Sequence, residues 1–308
     1  MILALSILLC FPVMAQLPVW NPPVFQTLKP GYPVKIAVES MPITESAPSA
    51  SLGFALADRI AVSFKPMEPK LILLAIQSAD SEKADVIAES ISAKFSRAIV
   101  VGLTVEESFT HRQDDSQEQV SALILAGGDL KFSAVLADEN TVLAENSAWN
   151  NPFNISEYFY QTLLQTTQDK AIFILSSFDK QKSEEIEKSF LTKIEKRVPV
   201  FTLQCGGKKP GIYFNGRKSG SACAAFAMAG NIALTKVNIS DTKAEELTSA
   251  LNSMEEKGVQ PFAVIACLPP ELKSQQIKPA IQNQTGKLTP IWGVSSADSG
   301  VTILFSPD

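Results

Sequence analysis

The sequence predicts a layered α/β protein: mixed β-sheets covered by helices, built from repeated strand–helix–strand units with hairpins. Three observations lead there. Continuous apolar runs such as Leu71–Ile76 and Ala171–Leu175 have the pattern of strands covered on both faces. Amphipathic stretches with apolar residues at helical spacing follow them. The starts of successive apolar runs, Leu71 and Ala98, Ala171 and Val198, and Phe262 and Thr289, each lie 27 positions apart, room for a helix to cross between parallel strands. Three equal spacings favour an internal duplication, with the stretch Ala171–Gly207 as its clearest copy.

The chain has 308 residues, 45% hydrophobic and 19% charged, with a formal net charge of −5. That composition supports a real core. No block of basic residues provides a nucleic-acid footprint or an anionic-membrane patch. Residues 1–15, MILALSILLCFPVMA, are almost entirely apolar and end in small residues at Val13 and Ala15. They read as a signal peptide, too short to span a bilayer and without a basic n-region. The expected location is therefore secreted or periplasmic, with no integral membrane segment after cleavage. Residues 16–32 carry Pro18, Pro22, Pro23 and Pro30 with Trp20 and Phe25, an extended arm fitted to fold back or to dock on an unidentified envelope partner.

In order, Val34–Glu39 reads as a strand and Ser51–Phe64 as a helix with Leu52, Ala55, Ile60 and Val62 as its apolar positions. The first unit is Leu71–Ile76, a helix capped at Ser81 with Ala84, Ile87, Ile91 and Phe95 inward, and Ala98–Leu103. Val120–Leu125 and Phe132–Leu136 read as antiparallel strands joined through Gly127-Gly128-Asp129. Ile155–Thr166 is a helix. The second unit has strand Ala171–Leu175, a helix capped at Ser183 with Ile186, Phe190 and Ile194 inward, and strand Val198–Leu203. Asn215-Gly216, between Ile212–Phe214 and the segment from Ser219, is the strongest hairpin signal. Ser219–Met228, rich in Ala, Ser and Gly, lets another layer approach. Thr242–Lys257 is a helix stopped at Gly258. The third unit is Phe262–Cys267, a helix interrupted by Pro279, and Thr289–Val294; Val301–Phe305 is the last strand. The architecture expected from this is two related halves.

Small residues gather where the second strand of each unit ends: Gly102 and Thr104; Gln204, Cys205, Gly206 and Gly207; Gly293, Ser295 and Ser296. Ligands of open α/β sheets bind beyond the carboxyl ends of strands, where glycine lets them approach the backbone. The same residues also suit tight turns that need positive φ. Both readings stand. Cys205, Cys223 and Cys267 sit in apolar runs as small hydrophobes. With no C-x-x-C and one histidine, His111, in a polar stretch read as a solvated loop, no metal is expected.

The stretches VKIAVES, PKLILLAIQS, AIVVGLTVEES, QVSALILAGG, VPVFTLQCGG, GIYFNGRKSGSACAAFAMAG, FAVIAC and LTPIWGVSSADSG, in that order, resemble the FIST family of bacterial sensory domains. Residues 33–235 resemble its FIST N region and 236–308 a shortened FIST C region. The resemblance implies recognition of a small-molecule ligand, an amino acid or related metabolite, with no catalytic residues and no cofactor. It departs from the family in its leader and in lacking an attached transducer. The expected function is thus a non-enzymatic small-molecule-binding protein of the envelope. Two alternatives remain: an enzyme with Cys205 or Ser221 as nucleophile, for which no G-x-S-x-G elbow or nearby base is visible, and an interaction module with a vestigial pocket.

Overall fold

The computed structural model describes residues 24–25, 33–112, 117–127, 129–141, 149–163, 168–207, 209–239, 245–268, 272, 274–286, 289–295 and 300–307. The leader, most of the arm and Ser296 lie outside them. The elements run β1 (Val24–Phe25), β2 (Lys35–Pro42), α1 (Ser49–Phe64), β3 (Leu71–Gln77), α2 (Ser81–Lys94), β4 (Ile99–Thr104), β5 (Ser108–Thr110), β6 (Gln119–Ala126), β7 (Lys131–Asp138) and α3 (Pro152–Thr162). They continue β8 (Asp169–Ser176), α4 (Lys180–Lys193), β9 (Val200–Gln204), β10 (Ile212–Phe214), β11 (Arg217–Ser219), β12 (Ala222–Ala229), β13 (Ile232–Ile239), α5 (Glu245–Glu256), β14 (Ala263–Leu268), α6 (Ser274–Thr285), β15 (Ile291–Ser295) and β16 (Gly300–Pro307).

Three mixed sheets result, where the pattern of units suggests two halves. Their strand orders are β1-β7-β12-β8-β9, β11-β10-β4-β3-β6-β2 and β13-β16-β14-β15-β5. Each holds one parallel pair: β3 with β4, β8 with β9, and β14 with β15. In each case a single helix (α2, α4 or α6) makes the crossover, so the predicted units are present as strand–helix–strand elements. Leu71 lies opposite Ile99, Ile172 opposite Val200 and Val264 opposite Ile291.

The alternation of side chains along each strand explains how the sheets assemble. On one face Leu71, Leu73 and Val101 meet Phe173, Phe201 and Phe226 from the second sheet, and Ile265, Trp292 and Phe305 from the third, in one shared inner core. Phe173 and Phe226 stack with centroids 4.7 Å apart. The other face of each sheet lies under its own helix pair: α1 and α2, α3 and α4, α5 and α6. Strands covered on both sides are apolar at nearly every position, and that is why these runs stand out in the sequence.

Several expectations are corrected. Strands β6 and β7 do not pair with each other. β6 already has β2 and β3 on its two edges, and the chain turns at Gly127 (φ +140°), where a Cβ would stand 2.9 Å from Val34 Cα, to carry β7 into another sheet. The helix caps are aspartates, one turn or less ahead of the expected serines. Asp80 accepts from the Glu82 and Lys83 amides, and Asp179 from that of Lys182. Ser183 is buried instead, and its hydroxyl donates to Ser176 Oγ at 2.8 Å. On α1, Ala55 and Val62 face outward, while Leu56, Ala57 and Phe64 complete the buried stripe. β5 and β13 appear where no strand is expected. The arm's Val24–Phe25 pairs with β7 of its own chain. The Asn215-Gly216 hairpin forms, with both residues at positive φ (49° and 83°), the twist a two-residue turn needs, but its second strand is Arg217–Ser219, ahead of the segment expected. No helix among the described residues is long and apolar enough to cross a membrane.

Candidate functional site

The three strand ends converge on one stretch of backbone, Thr104–Thr110. It leaves the first sheet at Thr104 and enters the third as β5. Thr104 exchanges bonds with Gly211: its amide donates to the Gly211 carbonyl (3.0 Å), and its Oγ1 accepts from the Gly211 amide (2.9 Å). The Thr104 carbonyl accepts from the Gly206 amide at 2.9 Å, which ties the end of β9 to the end of β4. The Glu107 carbonyl accepts from the Ser295 amide at 2.9 Å, which brings in the end of β15. Thus Thr104, Gly206 and Ser295, far apart in sequence, border a single junction.

The remaining small residues have packing or turn roles there. A Cβ on Gly102 would come within 2.9 Å of Leu74 Cβ, so its missing side chain is space already taken in the first sheet. Gly206 lets the Glu106 amide approach: a Cβ would lie 3.1 Å from it. Gly207 is exposed at φ +90° and turns the chain. Gly293 carries the Phe109 ring, whose Cζ would be 2.0 Å from an added Cβ. Gln204 donates from Nε2 to the Phe178 carbonyl at 2.9 Å. Ser296 lies outside the described residues.

Cys205 is buried beside Thr104. Its thiol donates to the Gly211 carbonyl at 3.3 Å, and burial pushes its pKa up to about 12. A thiol held this way is not a thiolate at neutral pH, and so lacks the activation a nucleophile needs. Burial likewise raises Cys223 and Cys267, and all three are free. Ser221, the other candidate nucleophile, is exposed in the turn ahead of β12. His111 is not solvated as expected. It is half-buried, Nδ1 is sequestered without a partner among the described residues, and burial foremost, then the Arg112 charge, lowers its pKa to about 4. The cause is β5: pairing Trp292 with Thr110 draws the next residue onto the fold, and the His111 amide donates to the Ile291 carbonyl at 3.1 Å.

The junction also has a buried polar lining that the glycine signal did not reveal. Ser108 and Thr110 lie opposite Val294 and Trp292, and so face the inner core; Phe109, between them, faces outward. From the first sheet Ser121, opposite Ala75 and Ser40, faces the same core. The Ser108 amide donates to Gln77 Oε1 at 3.0 Å, and Gln119 Nε2 donates to the Ser108 carbonyl. Ser40 Oγ and Thr110 Oγ1 are 3.5 Å apart. Ser108 Oγ, Ser121 Oγ and Trp292 Nε1, on residues with no exposed surface, find no partner within the described protein. Leaving a polar atom unpaired in a core costs about 1–3 kcal/mol. The sequence signal for this lining was the pair Gln119 and Ser121, alternate polar positions in the otherwise apolar run QVSALILA.

Among the described residues no group of three or more His, Cys, Asp and Glu is placed to hold a metal ion. A surface hollow of about 530 Å³ lies elsewhere, between the end of α2 and the Asn215-Gly216 turn.

The described chain is thus a three-sheet α/β body whose strand ends meet at one polar junction. The family model for the FIST N domain matches residues 70–244, more than half of the chain, and the chain belongs to the FIST family. Membership brings a sensory, small-ligand-binding role. No curated protein matches the sequence. Among solved structures it is similar to phosphoribosylformylglycinamidine synthase II from Thermotoga maritima, at 9% identity over 92% of this chain and 74% of that one, with a TM-score of 0.30. It is also similar to thiamine monophosphate kinase from Aquifex aeolicus, at 8% identity over 92% and 82%, with a TM-score of 0.25. At those scores neither enters the functional reading.

Proposed function

We propose that this protein is a non-enzymatic small-molecule sensor of the cell envelope, with amino acids or related metabolites as the first ligands to try, and that the ligand is received at the junction around Thr104–Thr110. The observation that carries the reading is the meeting of the Thr104, Gly206 and Ser295 backbones beside a buried polar lining. A molecule held there would touch elements of all three sheets. The buried Cys205 thiol, with its pKa raised to about 12, supports binding over covalent chemistry. The apolar leader, residues 1–15, supports export. Thermal-shift screening against amino acids and small metabolites, followed by equilibrium dialysis of the hits, tests the reading. A saturable hit, weakened when the Thr104 hydroxyl is removed, is the expected result. Silence across a broad panel would refute it.

A further inference from the structure

We infer that the polar lining between the first and third sheets is itself the ligand-contacting site, and that it takes a small uncharged molecule bearing an oxygen acceptor, such as a primary amide. This rests on the binding function proposed above and narrows both its place and its chemistry.

Strand registers place the groups together. Ser121 stands directly opposite Ser40 across β6 and β2. Ser40 Oγ is 3.5 Å from Thr110 Oγ1, and Thr110 stands directly opposite Trp292 across β5 and β15. Ser108 is two residues along β5, held by Gln119 through its carbonyl. These six residues therefore form one patch on facing sheets. Buried polar atoms are paired as a rule, so a set of three without partners among the described residues, Ser108 Oγ, Ser121 Oγ and Trp292 Nε1, marks a place for a polar partner from outside the described protein.

The chemistry of that partner follows from the donors. An indole nitrogen only donates, so the partner must offer an acceptor; the two hydroxyls can donate or accept. None of the six side chains is ionisable. Burying a carboxylate or ammonium among them would leave its charge without a counter-charge, which proteins avoid. Phe109 and Gly293 face the other side of the third sheet, so the ionisable groups of α6 are screened from the patch by the β5–β15 pairing. A neutral carbonyl or amide satisfies the set; a free amino acid, with two charges, does not fit entirely within it.

Acetamide and acetate are near-isosteres that differ in charge, and they make the test. The full chain, labelled with ¹⁵N, is titrated with each while the Trp292 indole N–H cross-peak is followed, that peak being identified by its loss in Trp292→Phe. Acetamide should move the peak saturably and acetate should leave it in place. Ser121→Ala and Ser108→Ala should each weaken the acetamide response about fivefold, the effect of one hydrogen bond. Equal response to acetate overturns the uncharged class. No response to either in the unmodified chain overturns the site, whatever the variants do. The two proposals fail separately. A metabolite that binds in the thermal-shift panel without moving the Trp292 peak leaves the sensor reading standing and removes this one. An acetamide shift with a silent panel does the reverse.

Discussion

Replacing Gly293 by alanine would strike the contact that seats the edge strand β5 in the third sheet. A methyl there would stand 2.0 Å from Phe109 Cζ and 2.3–2.4 Å from both Cε atoms, well inside van der Waals contact, so the ring has to leave its place. Phe109 is 2% exposed and packs with Leu247, Ile277 and Ile291 under α5 and α6. Overpacking a core costs about 1–3 kcal/mol, and losing a buried phenylalanine outright costs about 3–5. Partial displacement puts Gly293→Ala at about 2–4 kcal/mol. Urea unfolding of the full chain measures it. In a Phe109→Leu background the glycine substitution should cost at least about 1 kcal/mol less, because the smaller side chain yields. A loss below about 0.5 kcal/mol, or full additivity of the two changes, would refute the stacked geometry.

Stability should peak above pH 6.5 and fall as the pH drops toward 4. His111 binds its proton less readily folded (about 4) than unfolded, and at its half-exposure the effect is about 1–2 kcal/mol, to be read as the part of the pH dependence absent from His111→Gln. Iodoacetamide at pH 8 should leave Cys205, Cys223 and Cys267 unlabelled in the native chain and label all three in urea, by mass spectrometry; rapid native labelling of Cys205 would contradict its buried, raised thiol. Gly216→Ala should cost about 1–2 kcal/mol in urea unfolding, since φ is 83° and the methyl would meet Ser92 Cβ at 3.1 Å; a neutral result would mean the turn is not of the type described. Ending the chain after Ile239 removes Ile265, Trp292, Ile303 and Phe305 from the inner core, each worth about 1.5–3 kcal/mol, so the shortened protein should lose its cooperative thermal transition in near-ultraviolet circular dichroism.

The sequence made the strand–helix–strand units legible because their strands are covered on both faces and their helices on one, so the two apolar periods differ sharply. The same double coverage hid the sheet assignments. An all-apolar strand carries no mark of which neighbour it takes, and β6 and β7, joined by four residues, looked like a hairpin although they belong to different sheets. β5 was illegible for another reason. Three residues, Ser108-Phe109-Thr110, are too few for a period, and their place in a sheet depends on β15, some 180 positions later. The candidate site was half visible. Glycines pointed to the strand ends that meet at the junction, and the structure packs Gly102 against Leu74 and Gly293 against Phe109. The polar atoms that face the core, Ser108 and Ser121, carried only the weak signal of hydroxyls in strands.

The position of β5 bears on how occupancy of the junction would be sensed. Thr104–Thr110 is the last turn of one sheet's chain and the edge strand of another, and it is bonded to the end of the second through Gly206. Ser108 is fixed from both sides, its amide on Gln77 and its carbonyl on Gln119. A ligand bonded to the Ser108 hydroxyl therefore acts on a residue that cannot shift without disturbing β3, β6 and β15 together. Sheets that share one close-packed core do not yield independently. A displacement of a few tenths of an ångström at Ser108 would be passed to the outer helix pairs of the first and third sheets, whose exposed faces are the surfaces a transducer could read. That coupling needs no hinge and no domain motion. It follows from placing the polar lining on a segment that joins two sheets.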